Sequence, residues 1–118
     1  MPVVIGCIED RVLELLDLEA PDDFNIYIGE QNIAHMRDEH PYDYEKYGCD
    51  IETIIANPDY VGYHNDSIEY VKEYKVDDEY VKVAVRVSLS GKYYARTLFT
   101  LNKERVETSI EKGLLLKY

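Results

Sequence analysis

Tryptophan is absent from this 118-residue chain, and cysteine occurs only twice, proline four times and glycine six times. So little proline and glycine excludes a collagen-like or low-complexity chain. Cys7 and Cys49 are too few for a thiolate zinc site, and they lack C-x-x-C spacing. No basic segment leads into an apolar one, so no secretory signal is visible. One disulfide is arithmetically allowed, but without an export signal free buried thiols and a cytoplasmic location are expected. No run reaches the ~18 apolar residues of a membrane span. Bases are scarce too: 13 against 24 acids, a net charge of −11. That balance does not announce a nucleic-acid binder, since Lys and Arg drive phosphate binding. G-x-S-x-G and P-loop patterns are missing, and no serine or cysteine has a histidine near it in a recognisable setting.

What is present is enough for one domain with its own core, spanning residues 1–118. Hydrophobic residues make up 46% of it. The charge is uneven. Residues 1–60 hold 15 acids and 3 bases, a net of −12, whereas residues 61–118 hold 9 acids and 10 bases, a net of +1. A basic face is therefore available only in the second half.

Residues 3–8 (VVIGCI) read as a strand or an apolar anchor. Val12, Leu15 and Leu16 recur at helical spacing after Asp10, until Asp17 and Pro21 stop the pattern. Residues 24–29 (FNIYIG) alternate as a strand, and residues 30–39 form a helix that ends before Pro41. The stretch 41–48 (PYDYEKYG) reads as a loop or a short helix. Asp50 is the expected N-cap of a helix carrying Ile51, Ile54 and Ile55. Strands are then predicted over 60–64, 67–74, 80–89 and 92–101, joined at Asn65-Asp66, Asp77-Asp78 and Ser90-Gly91. Val81, Val83, Val85, Val87 and Leu89 alternate with Tyr80, Lys82, Ala84, Arg86 and Ser88, the pattern of a strand with one buried face. Asn102 caps a last helix holding Val106 and Ile110, with Gly113 as its C′ residue. Residues 114–116 dock as an apolar tail or a short edge strand. This order predicts an α+β fold: N-terminal helices packed on an antiparallel β-meander, with a C-terminal helix.

Three groups of residues could carry chemistry. His35 and His40 lie about 140° apart around a helix. His40 falls with Ile33 and Met36 and is expected to pack, while His35 stays freer. Their spacing does not suit a shared metal, so neither metal nor cofactor is expected. On the last strand, alternation puts Arg96 on one face with Tyr94, Leu98 and Thr100, and Thr97 on the other with Tyr93, Ala95 and Phe99. An arginine among apolar and aromatic residues needs a partner: an internal carboxylate, or a bound phosphate gripped by its planar fork. The third group is the set of bases on the meander. Lys82 and Arg86 share a polar face, and Lys72 and Arg96 would complete a basic one. Solvated edge lysines are the ordinary alternative. Lys72, Lys82, Arg86 and Thr100 are the candidate substrate contacts. Tyrosine is plentiful, 12 residues, and suits both strands and base stacking.

The order of these segments resembles the phage-associated branch of the barnase–EndoU–colicin–RelE nuclease superfold. The likeness rests on the strand Ile26-Tyr27-Ile28, on His35-Met36 and His40-Pro41, on Ile54-Ile55-Ala56-Asn57-Pro58-Asp59, and on Ala95-Arg96-Thr97. It runs from about residue 24 to residue 113. The resemblance implies a barnase/RelE-like fold and RNA cleavage without a metal. It implies His35 as general base or acid and Arg96 as the group that neutralises the scissile phosphate. Thr97 would hydrogen-bond that phosphate or support the sheet, and His40 matches a second histidine of catalytic or structural use. The expected substrate is RNA, with tRNA or RNA held by a partner fitting this acidic chain better than bulk RNA. An antitoxin or another phage protein is the expected protein partner. The competing expectation is a non-catalytic acidic phage or prophage accessory protein whose first half binds a protein, in the extreme as a nucleic-acid mimic.

Overall fold

The computed structural model describes residues 2–118. Along the chain run β1 (Val3–Cys7), α1 (Asp10–Leu16), β2 (Asn25–Ile28), α2 (Glu30–Glu39), α3 (Pro41–Tyr47), a 3-10 turn (Gly48–Asp50) and α4 (Ile51–Ala56). Then follow β3 (Tyr60–His64), β4 (Ser67–Tyr74), β5 (Glu79–Val87), β6 (Tyr93–Leu101), α5 (Lys103–Glu111) and β7 (Leu116–Lys117). No described helix is long and apolar enough to cross a membrane.

The strands form one sheet in the order β1-β2-β6-β5-β4-β3-β7. The expected α+β class holds, but the sheet is larger than the expected meander and is mixed. β3 to β6 are that meander, joined in antiparallel pairs. The N-terminal strands extend it beyond β6, where β2 runs parallel to β6 and β1 antiparallel to β2. The parallel pair arises because α2, α3 and α4 carry the chain from β2 across the sheet to β3 on the far side. A parallel neighbour requires such a long crossover.

One face holds the main core. Val81, Val83 and Val85 of β5 are fully buried there, opposite Ile68 and Tyr70 of β4 and Ala95 and Leu98 of β6. Val12, Leu13, Met36, Tyr47, Ile51, Ile54 and Ile55 cover them from α1 to α4. α5 instead packs on the opposite face, where Val106 joins Val71, Tyr80 and Leu115. Asn102 caps α5 as expected, its side-chain oxygen accepting the Arg105 backbone N–H at 2.9 Å. Gly113 adopts φ 74°, and the Leu114 N–H reaches back to the Ser109 carbonyl at 2.9 Å. This αL turn reverses the chain and sets β7 beside β3. A Cβ on Gly62 would run into the Leu114 carbonyl oxygen, so the reversal needs glycine there.

Two local expectations are corrected. Asp50 makes no N-cap bond, because a 3-10 turn precedes α4 and the Asp50 carboxylate accepts from the Tyr74 hydroxyl at 3.1 Å instead. Cys7 and Cys49 are free, but exposed rather than buried. Cys7 ends the edge strand β1, and Cys49 sits in the surface turn.

Gly62→Ala is expected to destabilise the fold by about 1–3 kcal/mol through overpacking, read as a lowered denaturation midpoint. Unchanged stability would refute the close approach of Leu114. The buried tyrosines give a second test. Burial, then a hydrogen bond to Glu79, pushes the Tyr47 phenol up from 10.0 to about 12. Burial likewise raises Tyr70 and Tyr74. A phenol raised in the folded state stabilises it fully below the unfolded value and loses that contribution as pH rises through the folded one. Stability should therefore fall between pH 10.0 and about 12. These phenols should ionise late and in step with unfolding in an absorbance titration. All tyrosines titrating together with the fold intact would contradict this.

Candidate functional site

The site begins with a β-bulge. Ala84 of β5 is opposite Thr97 of β6, but the next residue, Val85, is opposite Ala95. Arg96 is thus an extra residue in β6. Strict alternation would pair Arg96 with Leu98 and Thr100, as the sequence suggested. The bulge breaks it: Ala95 and Leu98, three apart, both face the core and are fully buried. Arg96 and Thr97 both fall on the opposite face with Tyr94 and Phe99. Thr100 lies across from Val81 on the core side. Its N–H donates to the Asp43 carboxylate of α3 at 3.0 Å, and its hydroxyl to the same group at 3.3 Å. Asp43 thereby satisfies the edge of β6 where β2 has ended.

α5 covers only one end of the second face and leaves the rest open. Cross-strand register arranges that open part in rows. One row runs His64 (β3), Ser67 (β4), Arg86 (β5) and Tyr94 (β6). The next runs Gly62, Glu69, Ala84 and Thr97, with Arg96 bulged beside it. In a third row Lys82 is opposite Phe99. Lys82 is committed: its Nζ lies 3.0 Å from Glu69 and 4.9 Å from the Phe99 ring centroid, and both charged side chains are under one-fifth exposed. Arg86 and Arg96 are exposed and, among the described residues, take part in no ion pair.

These two arginines and Tyr94 line an open groove of about 750 Å³. Gln31 and Asn32 at the start of α2 form one wall, and Ser88 and Ser90 of the β5–β6 turn another. Tyr27 stands behind Tyr94, their ring centroids 5.7 Å apart. The Tyr27 hydroxyl donates to Asp23 at 2.6 Å, the first of the contacts that hold the Asp23 carboxyl below its ordinary range. Lys92 lies 5.2 Å over the Tyr27 ring.

α2 runs along the edge of β6. Asn32 lines the groove, and at the other end His40 stacks on Phe99 with ring centroids 5.1 Å apart. His35 falls between these anchor points, one turn beyond Asn32. Asn32, His35 and Glu39 form one stripe at helical spacing. His35 is exposed, with Nε2 3.6 Å from the Glu39 carboxylate. It does not line the groove. Met36, about 100° around α2 from His35, is fully buried and fixes the helix's rotation.

Of the residues singled out from sequence, Arg86, Arg96 and Thr97 come together on the open face; His35 is exposed on α2 and does not line the groove. His40 packs. Lys82 shares the face but is paired. Lys72 is opposite Val81 on the other face, and its Nζ donates to the Asn57 carbonyl at 2.8 Å. Thr100 is held by Asp43. The sequence reading missed Tyr94 and Asn32 as groove residues and His64 as a row-mate of Arg86. Counting register outward from the Asn65-Asp66 turn, where both residues have positive φ, would have found His64. Among the described residues, no three His, Cys, Asp or Glu side chains cluster to hold a metal ion.

The open sheet face thus presents two arginines that form no ion pair among the described residues. The chain belongs to the phage-Barnase-EndoU-ColicinE5/D-RelE like nuclease3 family, whose family model matches residues 2–108. Comparison with curated proteins and with solved structures gives no match.

Asp43→Ala is expected to cost about 1–3 kcal/mol by leaving the Thr100 N–H unpaired, measured by chemical denaturation. A variant as stable as the wild type would show that Asp43 does not hold the β6 edge.

Proposed function

We propose that this domain is a metal-independent endoribonuclease. The observation that carries the reading is the pair Arg86 and Arg96, exposed in one groove with no carboxylate partner. Elsewhere on this face a cation is neutralised, as Lys82 is by Glu69. Two uncompensated guanidiniums suit a phosphodiester, which they can grip through paired N–H donors.

In this reading Arg96 and Arg86 hold the scissile phosphate and stabilise charge developing on its non-bridging oxygens. Thr97 adds a hydroxyl contact beside them. The ribose 2′-oxygen attacks phosphorus as its proton is removed, the bond to the 5′-oxygen breaks, and that oxygen takes up a proton. The products are a 2′,3′-cyclic phosphate and a 5′-hydroxyl. His35, on the exposed stripe of α2 that begins at the groove residue Asn32, serves as base or acid in these transfers. His40 supports the strand through its stack on Phe99.

The net charge of −11 does not oppose this strongly. Part of the acidic half of the chain builds α1, α3 and α4, whose buried residues cover the core face of the sheet, while α2 flanks the groove. Charges separated by more than about 8 Å of physiological salt are largely screened. The arginines in contact with RNA therefore outweigh acids on the far layer. Glu30 lines the groove itself and works against binding of a polyanion; the proposed substrate is a defined RNA such as tRNA.

The test is cleavage of tRNA and total RNA by the purified protein in EDTA. New 2′,3′-cyclic phosphate ends are expected. Arg96→Ala should lower the rate about 10²–10³-fold, and His35→Ala about 10²-fold, with circular dichroism unchanged. No cleavage by folded wild-type protein would overturn the reading and favour a binding module that uses its acidic helical layer.

A further inference from the structure

We propose that the groove contains a nucleobase subsite, with the Tyr94 ring as a stacking platform for a base of single-stranded RNA. The assignment rests on the reading of Arg86 and Arg96 as phosphate-binding groups. Tyr94 is directly opposite Arg86 in the β5–β6 ladder, so their Cα atoms are about 5 Å apart. Arg96 lies two residues farther along the same strand. A base on Tyr94 would therefore belong to a nucleotide whose phosphate is within reach of both guanidiniums.

Size favours a whole nucleotide over a lone phosphate. The groove of about 750 Å³ is far larger than an oxyanion requires. It lies in the range of sites that hold compact organic ligands, about 300–1,000 Å³. Its walls carry the groups that read a base edge. Gln31 brings an exposed amide, and Ser90 a hydroxyl. Asn32 uses its carbonyl oxygen to accept the Gly29 N–H at 2.8 Å. Its amide nitrogen keeps its donors.

The platform is braced from behind. Tyr27 packs on Tyr94 at a tilt of 35°, and its own hydroxyl is tied to Asp23. A ring held this way loses little freedom when a base settles on it, so more of the stacking energy appears as affinity. The flat faces of all four bases stack on an aromatic ring. Stacking alone thus gives base dependence, and Gln31, Asn32 and Ser90 give preference among bases.

The experiment measures binding, so it does not depend on turnover. A short single-stranded oligonucleotide with 2′-deoxyribose at every position cannot undergo 2′-hydroxyl attack. Its affinity is compared with that of the same oligonucleotide made abasic at one central position after another. Stacking of one base contributes about 1–3 kcal/mol, so the best position should lose about 5- to 150-fold when made abasic. Tyr94→Phe should keep that loss. Tyr94→Leu, which fills the space without an aromatic face, should abolish it while leaving residual salt-dependent binding. Equal binding of intact and abasic strands by the wild type would overturn the proposal. So would an unchanged base dependence in Tyr94→Leu. Base-dependent binding without RNA cleavage would keep this subsite and remove the nuclease reading. Cleavage with no base dependence would do the reverse.

Discussion

One extra residue in β6 decides what the open face of this protein can do. Without the bulge, the strand would alternate through Arg96, and either Ala95 or Leu98 would have to leave the core. Both are fully buried. Removing a buried leucine side chain from a core costs about 2–5 kcal/mol, so the packed face enforces the bulge. The same local slip carries Arg96 and Thr97 together onto the other face, beside Tyr94. Packing on one side of the sheet thus sets the chemistry on the other.

The two faces are unequal because their covers are unequal. Four short helices from the acidic half cover the core of one face. α5 closes only the end of the second, through Val106 against Val71 and Tyr80. The close contact of Leu114 with Gly62 limits how far that cover extends. What remains open is the end that holds Arg86, Arg96, Tyr94 and His64. The acidic half of the chain is divided between the helices that cover the core face and α2, whose Glu30 lines the groove. Net charge sums over both faces of the sheet and does not report the local charge of the groove.

Much of the fold was legible. Helices, strands and turns fall close to where hydropathy spacing puts them, since each depends on neighbours within a few residues. Asn102 and Gly113 act as the caps their residue types imply, by the local bonds that make those types favourable there. The alternation of Val81, Val83 and Val85 marked the buried face of β5 correctly. Features set by distant partners were not legible. The place of β2 beside β6 depends on a crossover spanning the sheet. α5 could have packed on either face as far as its own pattern shows. Arg96 was found by its strand context, yet its neighbours were misassigned, because a bulge leaves no periodicity of its own. Asp50 carried the residue type of a cap, but a hydroxyl from Tyr74, two dozen residues away, claimed its carboxylate.

The difference between Lys82 and the arginines separates support from site. Lys82 sits lower on the face, under one-fifth exposed, where an unpaired ammonium would be costly. Glu69 and the Phe99 ring answer that cost, and they also leave Lys82 with little to offer a ligand. Arg86 and Arg96 stand in solvent, so water satisfies them and no internal partner is needed. A ligand phosphate that displaces that water meets cations with no competing carboxylate to release. The half-buried pair ties β4 to β5 on this face, while Arg86 and Arg96 form no ion pair among the described residues. His40 does the same for β6 by stacking on Phe99, whereas His35 and His64 are exposed.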